Sequence, residues 1–118
     1  MKLDFEKRST CPLSSWLELF GDKWSMLILR DMAFFGKVHF KDFMNSDEKI
    51  STNILSDRLK KLEETNFIVK SSNPTNKLLN NYTLTPRALS MAPVFKEIAF
   101  WSNQNIENVH EITFPVTT

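Results

Sequence analysis

The chain has 118 residues, 42% of them hydrophobic and 25% charged, with a formal net charge of +1. Such a length suits one domain with a real core, and the composition is that of a soluble globular protein. Its apolar runs are too short to cross a bilayer and its N-terminus, MKLDFEKRST, lacks the apolar stretch of a signal peptide, so a cytoplasmic location without a membrane partner is expected.

Cys11 precedes Pro12, which suits the first turn of a helix. Leu13, Trp16, Leu17 and Phe20 then fall at i, i+3, i+4 and i+7, one helix face. Gly21 is the expected left-handed residue after that helix, and Asp22 the cap of the next. In the second helix Trp24, Leu27, Ile28 and Phe35, helped by Met32, should line the buried side, and Gly36 should end it. Phe40, Phe43 and Met44 mark a short third helix, followed by the polar turn NSDEK. Ser51 can cap a fourth helix whose inward stripe is Leu55, Leu59 and Leu62, with Asn66 at a left-handed end. FIVKSS and LLNNYTLT read as strands joined by the turn-rich NPTNK. Pro86 then opens a last helix carrying Leu89, Ala92, Ile98 and Trp101, which Pro93 should kink or interrupt. The tail after Asn105 fits either an added strand or a frayed end.

Three helices followed by a hairpin is the order of a winged helix-turn-helix. The expected fold is α+β, mainly α, with a two-stranded wing and extra terminal helices. It would be a single domain over residues 1–118 with its core over 11–104.

The stretch from Ile50 to Lys70 carries the functional signal. Its outward face begins with Ser51, Thr52, Asn53 and Ser56, all poor residues for a helix interior. They make sense where a helix end meets a major groove. Helix N-termini and hydroxyls donate to phosphate, and Asn can bond an adenine edge in a bidentate way. Lys60 and Lys61 can reach flanking phosphates. Lys70 and Lys77 lie on the hairpin, in a stretch between Glu64 and Glu97 that holds no acidic residue. That arrangement gives a local positive field on a nearly neutral protein. The plainer reading is that Ser51 and Thr52 only cap. Asp57 and Lys61 would then form a surface i,i+4 pair of about 0.2–0.5 kcal/mol, and Asp57 and Glu64 would repel DNA.

Taken together, the Cys-Pro at Cys11 and Pro12, the motif GDKWSMLIL, the segment ISTNILSDRLKKLEETNFIVK, the motif YTLTPRA and the segment MAPVFKEIAFW resemble the HxlR-type winged helix-turn-helix transcriptional regulators, relatives of the MarR group. The resemblance runs from about Cys11 to Trp101. It implies a sequence-specific regulator that binds double-stranded DNA as a homodimer, with the terminal helices pairing the subunits. Leu13, Trp16, Leu17, Phe95, Ile98 and Trp101 take that pairing role by resemblance. Cys11 becomes a candidate redox sensor, since family members respond to oxidants or electrophiles through a cysteine in this place. A small-molecule or oxidant effector is the implied further partner. Lys7 and Arg8 stand near Cys11 in sequence and, with the helix dipole, would favour thiolate. The sequence departs from the family at LLNN before Tyr82, where a base is usual. It also carries Asp22, Asn66 and Ala88 where glycine is common.

Two other classes compete. A winged-helix protein-interaction module without DNA binding would need exposed apolar anchors on the fourth helix, where only Ile54 qualifies. An enzyme would need a nucleophile–base pair, a phosphate loop or a metal cluster, and none is visible. One cysteine excludes an intramolecular disulfide or a Cys-rich zinc site. His39 and His110 share no ligand spacing, and His39 reads as structural. No cofactor or metal is expected.

Overall fold

The computed structural model describes residues 2–76 and 79–111. Its order is α1 (Pro12–Phe20), α2 (Ser25–Phe35), α3 (Phe40–Phe43), α4 (Thr52–Glu64), β1 (Ile68–Ser72), β2 (Asn80–Leu84), α5 (Pro86–Leu89) and α6 (Ala92–Asn105). This is a mainly helical winged helix with one antiparallel hairpin as its wing. The strands pair from Ile68 opposite Leu84 to Ser72 opposite Asn80.

The local signals explain most boundaries. Pro12 occupies the first turn of α1, where its missing N–H costs nothing. Gly36 ends α2 at φ 64°, and Asn66 follows α4 at the same φ. Gly21 behaves otherwise. It follows α1 at φ −76°, right-handed rather than left-handed. A Cβ there would sit 2.5 Å from the Leu17 carbonyl oxygen, so Gly21 serves close packing and not a left-handed turn. Asp22 does start α2: its Oδ1 accepts from the N–H of Trp24 at 2.7 Å and of Ser25 at 2.9 Å. Pro93 interrupts the last helical pattern, as expected. It lies in the first turn of α6, and α5 ends four residues before it at Leu89.

One core joins all of these elements. Phe20, Ile28, Leu29, Met32, Phe43, Leu55, Leu59, Leu62, Phe67, Ile68 and Tyr82 are buried together. Each large apolar side chain so buried contributes roughly 1.5–3 kcal/mol. Phe35 is a correction to the expected buried face of α2. It is 60% exposed, and its ring is flanked by the cations of Arg30 and Lys37, 5.6 and 5.7 Å from the centroid. Leu29 takes the inward place instead. Residues 106–111 form neither helix nor strand. The rest of the tail, like Lys77, lies outside the described residues.

Candidate nucleic-acid interface

α3, the turn after it and α4 form the helix-turn-helix, and α4 leads at once into the wing. Leu55, Leu59 and Leu62 fix α4 on the core by one stripe. The Ser51 hydroxyl oxygen accepts from the Ile54 N–H at 3.3 Å and caps it. Ser51 can still donate its own proton outward. Thr52, Asn53, Ser56 and Lys60 are all exposed, while Ile54 is half-buried. The outward surface of α4 therefore offers hydroxyls, an amide and an ammonium, and no exposed large apolar side chain.

Lys61 stands apart from this strip. It lines a surface hollow with Arg8, Leu17, Glu18, Gly21 and Asp22, on the flank that turns toward α1. Lys70 is exposed on β1 directly across from Tyr82. Cross-strand partners share a face, so Lys70 and Tyr82 lie on one face of the hairpin.

Sequence reasoning missed Arg58. From the middle of α4 its Nε donates to Asp22 Oδ1 at 3.1 Å, and its Nη1 donates to Asp57. Asp57 thus pairs with its neighbour and not with Lys61, as the i,i+4 spacing suggests. The acidic group that stood out on the outward face is paired within α4. Asp22 is held low, to about 2: partial burial opposes its charge, but the Ser25 hydroxyl, two backbone N–H groups and Arg58 outweigh that. A separation of 36 residues leaves no local pattern from which this pair could have been read.

A second cluster holds the turn between α3 and α4. Asp31 is 3% exposed inside α2 and bonds to Arg30 Nη2 at 2.7 Å, to the Ser46 hydroxyl and, at 3.5 Å, to Lys37 Nζ. Arg30 also forks onto Glu48, with both N–O distances 2.8 Å. This bidentate bond holds the Glu48 carboxyl down to about 2 and raises Arg30 above its ordinary value. Ser46 and Glu48 belong to the turn, so α2 grips it by charge. The sequence signal was a lone Arg-Asp pair inside an otherwise apolar helix.

The wing root is equally tied. The Thr85 hydroxyl donates to the Asn66 carbonyl at 2.7 Å and accepts from the Ala88 N–H at 3.3 Å. Tyr82 is buried edge-on to Phe43, and its N–H donates to the Val38 carbonyl at 2.8 Å. His39 lies beside the Asn80 carbonyl, with Nδ1 3.3 Å away, and links α3 to the wing. These contacts account for the motif around Tyr82, Leu84 and Thr85 without any chemistry of reaction.

Cys11 is exposed at the N-terminal cap position of α1. The cations expected beside it have other partners: Arg8 Nε pairs with Glu18 at 2.6 Å, and Lys7 donates to the Phe5 carbonyl at 3.1 Å. Among the proposed pairing residues, Leu13 and Trp101 are 65% and 60% exposed, and Leu17 and Ile98 are exposed too. Trp16 and Phe95 turn inward instead, against Phe20 and Phe34. Among the described residues no three His, Cys, Asp or Glu side chains converge as metal ligands. Among the described residues no helix is long and apolar enough to cross a membrane.

Comparison with known proteins agrees with this geometry. A family model described as HxlR-like helix-turn-helix matches residues 19–110. The HTH-type transcriptional regulator YodB of Bacillus subtilis is 31% identical over 98 residues, covering 82% of this chain and 87% of YodB. The structure of reduced YodB matches with a TM-score of 0.66 at 28% identity, over 86% of this chain and 100% of that one. Quinone-bound and diamide-treated YodB match at 0.64 and 0.61. PA1607, a candidate transcription factor, matches with a TM-score of 0.76 at 30% identity, over 94% of this chain and 76% of its own. A MarR-family candidate regulator from Porphyromonas gingivalis matches at 0.71 and 26% identity, over 90% of this chain and 100% of that one.

Proposed function

Because the chain belongs to the HxlR-like helix-turn-helix family of transcriptional regulators, we propose that it binds a specific double-stranded DNA site as a homodimer, with α4 in the major groove. The observation that carries this reading is the outward strip of Thr52, Asn53, Ser56 and Lys60 on a helix anchored by only three buried leucines. In this reading Ser51, Thr52 and the α4 N-terminus take phosphate, Asn53 and Ser56 read base edges, and Lys60 and Lys61 hold the flanking backbone. Lys70 and Lys77 follow the strand beside the wing. Exposed Leu13, Leu17, Ile98 and Trp101 pair the subunits, with Trp16 and Phe95 supporting them from beneath. One domain over residues 1–118 then suffices for both tasks.

Cys11 makes the regulator responsive to oxidants or electrophiles. Its exposure at a helix N-terminus supports this, as does its similarity to YodB, which has been solved in reduced, quinone-bound and diamide-treated forms. The test is selection of bound duplexes from a random pool by the purified dimer. The expected product is a palindrome with half-sites about one helical turn apart. No salt-dependent duplex binding at low ionic strength would overturn the reading.

A further inference from the structure

Asp57 lies on the face of α4 assigned to DNA, where its charge is unfavourable. On the helix period Asn53, Asp57, Lys60 and Glu64 fall at i, i+4, i+7 and i+11, opposite the stripe of Leu55, Leu59 and Leu62. Asp57 therefore stands between Asn53 and Lys60, with its side chain 68% exposed. A carboxylate there repels phosphate, and a helix that only had to hold the DNA backbone would carry a base or a hydroxyl in its place.

The fold does not need Asp57 as a counter-ion for Arg58. Arg58 turns back from the strip, and its Nε donates to Asp22 Oδ1 at 3.1 Å. Asp22 is the better shielded partner, at 21% exposed, and exposed ion pairs add little to stability. The bond from Arg58 Nη1 has another effect: it fixes Asp57 by one oxygen, Oδ2, from the flank of the helix. Among the described residues nothing bonds Oδ1. Arg58 thus offsets the charge of Asp57 toward phosphate and leaves an oriented acceptor on the strip.

An ionised carboxylate only accepts. In the major groove cytosine offers the N4 amino donor alone. Guanine and thymine offer acceptors, and adenine sets its N7 acceptor beside the N6 donor. A fixed acceptor favours cytosine by attraction and rejects guanine and thymine by repulsion.

We propose that Asp57 is a specificity residue that accepts from the N4 amino group of a cytosine, and that Arg58, held by Asp22, is the positioning residue that aims it. The inference rests on the proposed placement of α4 in the major groove. Asp57 lies four residues beyond Asn53, about 6 Å along the helix, so its base is about two base pairs from the one that Asn53 reads.

The test is selection from a random duplex pool by the parent and by Asp57→Ala, Glu64→Ala and Arg58→Lys. Titration of the selected duplex with N4-methylcytosine at the assigned position follows, since that methyl replaces the major-groove amino hydrogen and keeps the base pair. The parent should prefer cytosine at one position per half-site by at least about five-fold, and N4-methylcytosine there should weaken it by as much. Asp57→Ala should lose the cytosine preference, ignore the methyl group and keep the preference at the position read by Asn53. Glu64→Ala removes a charge of the same sign from the same stripe, and should raise affinity without altering any base preference. Arg58→Lys keeps the charge but not the fork, and should narrow the cytosine preference at that position alone. If Asp57→Ala gains affinity equally on every duplex and keeps the parent's base preferences, Asp57 is a plain surface charge and the proposal is overturned. A preference for another base at that position overturns it too, and an undiminished preference in Arg58→Lys overturns the positioning role. A parent that selects a palindrome without this cytosine refutes the inference alone, whereas a parent that selects no duplex refutes the proposed function and the inference with it.

Discussion

Arg58 of α4 bonds Asp22, the residue that starts α2, at 3.1 Å, and the second helix of the helix-turn-helix is thereby fastened to the junction between α1 and α2. Both side chains are about three-quarters buried, so the pair is worth more than an exposed ion pair. Asp22 and, separately, Glu48 make the fold sensitive to acid. Asp22 and Glu48 both titrate near 2 when folded, down from about 4 in an unfolded chain. Their stabilisation is therefore complete above about pH 4 and disappears as pH falls toward 2. Urea denaturation of the parent should show this loss across that window. Asp22→Asn and Glu48→Gln should each be less stable at pH 7 and should lose less on acidification.

Stability and recognition should separate along α4. Leu55 is wholly buried, so Leu55→Ala should cost about 2–5 kcal/mol in urea unfolding. Asn53 is exposed, so Asn53→Ala should stay within about 0.5 kcal/mol of the parent. In binding to matched and single-mismatch duplexes, the Asn53 variant should instead lose about 1–3 kcal/mol of discrimination at one base pair.

The two adjacent lysines should differ. Lys60 lies on the outward strip and Lys61 beside Glu18 and Asp22. Lys60→Ala should lower the slope of log affinity against log salt by about 1.8, the value of two phosphate contacts, one from each subunit. Lys61→Ala should lower it by less than half as much, since Lys61 stands off the outward strip, on the flank toward α1. Equal slopes would place both lysines on the outward strip.

Exposed Trp101 and Leu13 predict the assembly. Trp101→Asp and Leu13→Asp should convert a sedimenting dimer to monomer at micromolar concentration while changing the unfolding free energy of the monomer by no more than about 0.5 kcal/mol. Duplex affinity should fall at least ten-fold, because only one half-site can then be engaged.

Cys11 is exposed at the head of α1, without Lys7 or Arg8 directed to it. Diamide should change the duplex affinity of the parent several-fold and leave Cys11→Ser unaffected. An identical response in both proteins would remove Cys11 from the mechanism.

What was legible in the sequence had a local cause. The leucine stripe of α4, the left-handed Gly36 and Asn66, and the break at Pro93 each follow from a period or from one residue's backbone. Gly21 misled because glycine serves close approach as well as positive φ, and residue type does not say which. Phe35 misled because a helix position fits the inward stripe until a pair of cations offers the ring another partner. Arg58 and Asp31 depend on partners far along the chain, and only the folded arrangement brings them together.

Thr85 carries a consequence larger than its size. One hydroxyl donates to the carbonyl behind the wing and accepts from the first turn of α5, so hairpin and exit segment behave as a single lever with its fulcrum at that oxygen. The lean of the hairpin and the heading of the chain toward α6 are then one degree of freedom. A change in the lean of the wing should therefore reach the start of α5 first, at the head of the segment that leads to the C-terminal helix.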